Sequence, residues 1–159
     1  MIEINNSEVK TLGADAVSML RKLVSIPAYS THEILRSDFI SKYLYNKGVV
    51  HSRIKNNIVA YSKYFDPSKP TLMLNSHIDT VRESDSYTFD PFNPPYSESV
   101  IFGLGSNDAG ASLVSAIHAF LFYYEKRLPF NLLLALSCEE EISGPNGMGY
   151  PASHQYDVT

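Results

Sequence analysis

The sequence contains an apolar run that ends in three acids, Leu132-Leu133-Leu134-Ala135-Leu136-Ser137-Cys138-Glu139-Glu140-Glu141. An almost continuous apolar run is typical of a strand in a sheet that is covered on both faces. Such a strand ends inside its domain, and loops placed by a rigid sheet commonly carry functional groups. The run therefore predicts an α/β domain with functional carboxylates at the end of a buried strand.

Two further polar clusters follow the same plan. The first is Thr71-Leu72-Met73-Leu74-Asn75-Ser76-His77-Ile78-Asp79, which starts as an apolar strand, and the second is Gly103-Leu104-Gly105-Ser106-Asn107-Asp108. The three clusters are spaced by roughly thirty residues, about the length of one strand-helix-strand unit. This spacing allows the His and acidic side chains of the three clusters to converge at one place.

The segments between the clusters complete the α/β pattern. Apolar residues at helical spacing predict helices, and short apolar runs bounded by turn residues predict strands. We therefore predict a mixed, largely parallel sheet flanked by helices, with a buried strand at 71–76. The predicted helices are 7–24, 31–46 and 109–124, and the predicted strands are 49–54, 57–64, 71–76 and 130–137.

His77 and Asp79 are candidates for a metal centre. A neutral imidazole together with carboxylates suits zinc, which binds nitrogen and oxygen ligands. Side chains two residues apart on an extended segment point to the same side, so Asp79 can accept the second ring N–H of His77 and fix its tautomer. Alternatively, His77 is a structural residue at a strand end, and Asp79 is a turn residue that bonds to its own nearby backbone.

The acids of the other two clusters also have two interpretations each. Asp108 can bridge two metal ions with its two oxygens, or it can cap a helix that begins near residue 109. Of two adjacent glutamates, one can bind a metal ion while its neighbour takes a proton from water. The glutamate run can equally be a solvated helix start that the helix dipole stabilises. Because all three clusters occur in order on one type of scaffold, we favour the metal interpretation.

Three motifs resemble those of the co-catalytic zinc hydrolases, a family that includes aminoacylase, acetylornithine deacetylase, succinyl-diaminopimelate desuccinylase and glutamate carboxypeptidase. The motifs are Ser76-His77-Ile78-Asp79-Thr80-Val81, the 103–108 cluster preceded by Phe89-Asp90-Pro91-Phe92, and Glu140-Glu141-Ile142-Ser143-Gly144. The segment Leu23-Val24-Ser25-Ile26-Pro27, followed by Ser30 and Glu33, also resembles the family. One departure is Ala109-Gly110-Ala111, where the family often has Lys-Gly-Gly.

The resemblance implies a zinc exopeptidase-like catalytic domain and a role for each residue. His77 binds one zinc ion, Asp108 bridges two ions, and Glu141 binds the second. Glu140 is the general base, and Asp79 orients the ring of His77. Cobalt is an alternative ion. The triple Glu leaves the register ambiguous by one, and the Glu-Glu-Ile-Ser-Gly string aligns Glu140 and Glu141 with the family's pair.

The chain of 159 residues is short for this family. The resemblance implies further metal ligands, an acid after the Glu pair and a late His, and also a lid or dimerisation domain. We expect residues 1–150 to be the N-terminal part of the catalytic domain and residues 151–159 to be an irregular tail in which His154 and Asp157 are not ligands. A truncated chain of this kind is expected to bind zinc weakly or not at all and to have no turnover alone.

Composition argues against several other classes of protein. The net charge of −4 and the lack of a Lys/Arg stripe argue against nucleic acid as a partner. The single cysteine, Cys138, precludes an internal disulfide and suits a reducing compartment, and its acidic neighbours should keep the thiol inert. With no signal segment and no apolar stretch of about 18 residues, the sequence predicts a cytoplasmic protein without membrane contact.

The predicted activity is zinc-dependent hydrolysis of an amide bond next to a free carboxylate. The expected substrate is a small N-acyl amino acid or a short peptide. The resemblance favours an acetylornithine-type deacylase of amino-acid metabolism, as in arginine biosynthesis, over an exopeptidase, and it allows a homodimer of the intact parent. The alternative is a non-catalytic fragment that binds partners through exposed sheet edges.

Overall fold

A computed structural model of the chain describes residues 5–147 and Gly149. Within this part of the chain, three helices and four strands form the domain. They are α1 (Asn6–Val24), α2 (Ile34–Asn46), β1 (Ser52–Ile54), β2 (Asn57–Tyr61), β3 (Thr71–His77), α3 (Ser112–Tyr123) and β4 (Asn131–Ser137), and a short irregular helical segment, Ser106–Ala111, precedes α3.

Local backbone conformation sets the ends of the helices. The side chain of Asn5 caps α1 by accepting the N–H of Ser7, so the predicted first helix is confirmed almost residue for residue. The second helix begins at residue 34 instead of 31, because Thr31 has a φ of 73°, which no α-helix contains. The third begins at Ser112 instead of 109, because Asp108 and Ala109 have non-helical backbone angles.

The four strands form one mixed sheet in the order β1-β2-β4-β3. β4 runs parallel to β3 and antiparallel to β2, while β1 and β2 form an antiparallel hairpin that turns at Lys55. The predicted α/β class, a mixed sheet flanked by helices, is confirmed. Of the three strand pairings in the described part of the chain, however, only that of β3 with β4 is parallel. β1 and β2 are joined by a hairpin, which makes them antiparallel, and parallel neighbours would need a longer crossover connection.

The core lies on both sides of β4. All seven residues of β4 are buried. Since successive side chains point to opposite faces of a sheet, both faces are covered at this strand, as its apolar sequence predicts. Helix α3 packs against β3 and β4, and α1 packs against α3. The side chains of Leu134, Ile117 and Phe120 are completely buried in this core.

β3 differs from its prediction. The expectation of a buried strand at 71–76 is wrong, because Thr71, Leu72 and Met73 are exposed and only Ser76 of this strand is buried. β3 is an outermost strand of the described sheet and pairs with β4 alone, so the residues of its first half are exposed to solvent. The apolar sequence of β3 therefore does not reflect burial within the described residues.

The burial of β4 makes a prediction about stability. Leu134→Ala should lower the free energy of unfolding by about 2–5 kcal/mol, because it removes a fully buried side chain and leaves a cavity. Leu35→Ala on α2 is the matched control, since Leu35 is 64% exposed and its loss should change stability by about 0.5 kcal/mol or less. Urea unfolding followed by circular dichroism measures both, and equal effects would contradict the assigned core.

Candidate metal centre

β3 and β4 end side by side at one edge of the sheet. Their parallel pairing places His77 opposite Ser137, and the N–H of Ile78 extends the pairing by donating to the carbonyl of Ser137 at 2.7 Å. Parallel strands carry their carboxyl ends to the same edge. The residues that follow each strand, including Asp79 and the three glutamates, therefore meet there.

Three potential metal ligands converge at this edge. One ligand atom from each of His77, Asp108 and Glu141 lies within 4.8 Å of the other two, the only such group of three or more found in the described part of the chain. The side chain of His77 is 10% exposed, whereas that of Asp108 is 78% exposed. The group thus combines a largely buried imidazole with the exposed carboxylate of Asp108 and the half-buried Glu141.

The ring of His77 has a defined orientation. Its Nδ1 lies 3.0 Å from the backbone carbonyl oxygen of Asp79, which can only accept, so Nδ1 carries the donated proton. Nε2 then faces Asp108 Oδ1 at 3.0 Å and Glu140 Oε2 at 3.7 Å. Interaction with the carboxyl groups of Asp79 and Asp108 outweighs burial and raises the pKa of His77 to about 9.

Asp79 is the buried acid beneath this group. Burial opposes its ionisation, but hydrogen bonds from His77, from the hydroxyl of Ser30 and from the backbone N–H groups of Glu140 and Glu141 outweigh burial and lower the pKa of Asp79 to about 2. Its carboxylate Oδ1 lies 3.4 Å from His77 Nδ1, farther than its own backbone carbonyl. His77 Nδ1 therefore faces both the main-chain carbonyl and the carboxylate of Asp79, and the same carboxylate also accepts from the glutamate loop.

Asp108 reaches the group from an irregular turn before α3. Gly105 starts this turn with a φ of 72°, and a Cβ at that position would lie 2.5 Å from Thr80 Cγ2, so only glycine fits. Asp108 itself has φ and ψ of −106° and 105°, and its peptide bond to Ala109 is cis. Asp108 does not cap α3, which begins within the described residues without a side-chain cap, and contacts His77 instead.

The three glutamates point in different directions. Glu139 is buried, with a φ of 54°, and its carboxylate accepts both the backbone N–H and the side-chain amide of Asn146. Glu140 is exposed beside His77, and Glu141 belongs to the ligand group. Burial and the nearby charge of Asp108 raise the pKa of Glu141. No helix begins between residues 139 and 147, so the solvated helix start that the sequence also allowed is not present.

Comparison with models of protein families identifies the family of the chain. The model described as "Peptidase family M20/M25/M40" matches residues 73–156, more than half of the sequence. The chain belongs to this peptidase family. The matched region includes all three motifs that carry the resemblance noted above.

Individual relatives agree with the family assignment. A protein of Emericella nidulans named as a probable carboxypeptidase is 32% identical over 139 residues, which cover 80% of this chain and 31% of that protein. A succinyl-diaminopimelate desuccinylase of Blochmanniella floridana is 27% identical over 84% of this chain and 37% of that protein. The chain thus spans about a third of the length of these M20 relatives.

A solved M20 structure shares the fold. A Bacillus subtilis protein described as a dinuclear metal-binding peptidase superposes with a TM-score of 0.66 at 18% identity, over 91% of this chain and 40% of that protein. None of the helices in the described part of our M20 chain has the length and apolar character that crossing a membrane requires. His154 and Asp157 lie outside the described residues.

Two charged residues at the start of α2, Glu33 at its N-cap and Arg36 in its first turn, are buried near the candidate metal centre, which the sequence does not reveal. The carboxylate of Glu33 is fully buried and accepts the backbone N–H of Glu139. The guanidinium of Arg36, also buried, donates to the carbonyls of Ile26 and Ile78, and burial lowers its pKa to about 10. The resemblance includes Glu33 but gives it no role, and the burial of the two residues does not follow from their type, because charged side chains are almost never fully buried unless they are paired.

Cys138 provides a test of burial at this edge. Its thiol is buried and lies 3.1 Å from the carbonyl of Asn146, and burial raises its pKa to about 12. Because the thiolate is the reactive form, we expect the native chain to react with a disulfide reagent at pH 8 about a hundredfold more slowly than the chain in guanidinium chloride. Cys138 is the single cysteine, so absorbance of the released thiol reports on it alone. Equal rates would contradict the described burial.

Proposed function

We propose that the complete gene product is a metal-dependent hydrolase of amide bonds, with Glu140 as its general base. The observation that carries this proposal is the convergence of His77, Asp108 and Glu141 within 4.8 Å, with the carboxylate of Glu140 beside them. Activity is proposed for the complete gene product because the chain spans about a third of the length of its relatives.

The donor set fits a divalent ion such as zinc. One imidazole nitrogen and carboxylate oxygens are ligands that zinc accepts. His77 donates its Nδ1 proton to a backbone carbonyl, the usual arrangement for a histidine whose other ring nitrogen binds a metal. The charge of Asp108 disfavours ionisation of Glu141, and a cation between these carboxylates offsets their repulsion.

A divalent ion held here would polarise the substrate carbonyl and lower the pKa of the attacking water. As the family resemblance implies, Asp108 would hold both ions of a two-ion centre, and His77 and Glu141 would each hold one. Glu140 is exposed and close to His77, so its Oε2 can accept a proton from water and later deliver it to the leaving nitrogen. The products are then a carboxylic acid and an amine, and Glu140 returns to its starting ionisation state.

We propose a substrate with a free carboxylate next to the scissile amide, either a peptide or an N-acyl amino acid. The relative named as a probable carboxypeptidase is the more similar of the two M20 relatives described above and favours a peptide. The desuccinylase relative supports the N-acyl amino acid class, to which the acetylornithine-type activity expected from the motifs also belongs. A screen with both substrate classes, with and without chelator, separates them.

A non-catalytic role is the second candidate. Leu72 and Met73 on the outermost strand β3 are 51% and 45% exposed. Exposed apolar side chains of this kind favour a surface that binds a partner. This surface does not account for the acids and the imidazole that meet at the other end of β3. We therefore place amide hydrolysis first.

Glu140→Gln tests the assigned base. The substitution keeps size and removes the proton acceptor, so turnover by the complete gene product should fall by about 10²–10⁴-fold while zinc content is unchanged. Glu125→Gln is the matched control, because Glu125 pairs with Lys63 on the surface and should leave activity unchanged. Turnover and elemental analysis of the same preparations are compared, and an active Glu140→Gln protein would reject the mechanism.

The ligand group makes a separate prediction about metal content. His77→Ala removes a ligand and Asp108→Asn removes the negative charge of another, so each should lower the zinc affinity of the complete gene product by about tenfold or more. Titration calorimetry of chelator-treated protein measures the affinity. For the 159-residue chain alone we expect weak binding, and two tightly held ions per chain would contradict that expectation. Unchanged affinity in both variants would refute the proposed centre.

A further inference from the structure

Three consecutive backbone N–H groups of the glutamate run donate to two buried carboxylates. The N–H of Glu139 donates to Glu33 Oε1 at 3.2 Å. The N–H groups of Glu140 and Glu141 donate to Asp79 Oδ1 and Oδ2, each at 3.1 Å. The main chain that carries the proposed base and the proposed ligand is therefore held by two acids that lie in other parts of the sequence.

The carboxylate of Glu33 is fully engaged in this role. Its side chain is completely buried, and Oε1 also accepts the N–H of Thr31 at 2.7 Å while Oε2 accepts the side-chain amide of Asn56 at 2.9 Å. A buried carboxylate is tolerated only when such donors replace its lost hydration. Glu33 points into the protein and holds backbone, so its geometry suits positioning and not contact with a substrate.

Glu139 links Glu33 to the reactive residues that follow. Its left-handed backbone, with a φ of 54°, turns the chain away from β4. Its carboxylate is fixed by Asn146, and Gly144 leaves room for it, because a Cβ on that glycine would lie 2.7 Å from the Cβ of Glu139. Asn146 holds the side chain of Glu139, and Glu33 holds its backbone N–H. Glu139 therefore sets the direction in which the chain leaves β4.

We propose that Glu33 is a positioning residue for the amide hydrolysis proposed above, acting through its hydrogen bond to the N–H of Glu139. This inference rests on the proposed function. Glu33 keeps the 139–141 turn in the conformation that presents Glu140 beside His77, and it does so by accepting hydrogen bonds, not by contributing charge to the reacting atoms.

Two variants separate hydrogen bonding from charge. Glu33→Gln keeps the length of the side chain, so its oxygen can still accept from Thr31 and Glu139. The side-chain amide of Asn56 must then turn over and lose the hydrogen bond that it accepts from Arg53. Glu33→Asp keeps the charge and can still reach the nearby N–H of Thr31, but it is one methylene too short to reach Glu139. Glu125→Asp is the matched control on the surface.

The kinetic arm uses the complete gene product. Glu33→Asp should lower kcat by about tenfold or more with KM within about threefold, since small displacements of catalytic groups are costly. Glu33→Gln should stay within about threefold of the wild type. An unchanged kcat in Glu33→Asp, or an equal loss in Glu33→Gln, would overturn the inference. If Glu140→Gln remains active, the proposed function fails, independently of the Glu33 result.

The second arm needs no activity. In metal-free protein, amide hydrogen exchange at residues 139–141 should be about tenfold faster in Glu33→Asp than in Glu33→Gln, while β4 is unchanged and reports that both variants are folded. If neither variant folds, the exchange rate of the backbone amide of Glu139 in the wild type still tests the inference. We expect that amide to exchange about as slowly as those of β4 because it is buried and bonded to Glu33. Rapid exchange of the wild-type amide, or equal exchange in the two variants, would overturn the inference.

Discussion

The parallel pairing of β3 with β4 is the constraint on which the candidate site depends. It aligns His77 with Ser137 and so brings two segments that are sixty residues apart in sequence to one edge of the sheet. A shift of this register by one residue would move His77 to the other face, because side chains alternate along a strand. Helix α3 packs against both β3 and β4 and opposes such a shift, so the packing of the core also determines the geometry of the site.

Buried hydrogen bonds then fix the loops that leave these strands. The carboxylate of Asp79 accepts from Ser30, Glu140 and Glu141, and Glu33 accepts from Glu139. Buried acids that receive several N–H donors are stable as anions, which is consistent with the low pKa of Asp79. The carboxylates of Asp108 and Glu140 are instead exposed beside His77, as expected of groups that bind an ion or move a proton.

Much of this architecture can be predicted from local pattern. Helix α1 follows from the helical spacing of its apolar residues and strand β4 from its continuous apolar run, and the three motifs point to the residues that converge. Exposure of Leu72 and Met73 cannot be predicted, because an apolar strand has the same sequence whether or not a neighbouring element covers it. The burial of Glu33 is equally hidden, because it depends on donors from Thr31, Asn56 and Glu139, which only the fold brings together. The conformation of Glu139 was likewise beyond local pattern, since positive φ is uncommon for a glutamate.

The proposed hydrolysis requires that His77, Asp108 and Glu141 bind the same metal centre. Anomalous diffraction at the zinc absorption edge, from crystals of the complete gene product grown with zinc, locates the ions. We expect anomalous peaks about 2 Å from His77 Nε2 and from carboxylate oxygens of Asp108 and Glu141. Zinc bound elsewhere, with the His77 ring still hydrogen-bonded to Asp108, would rule out this centre.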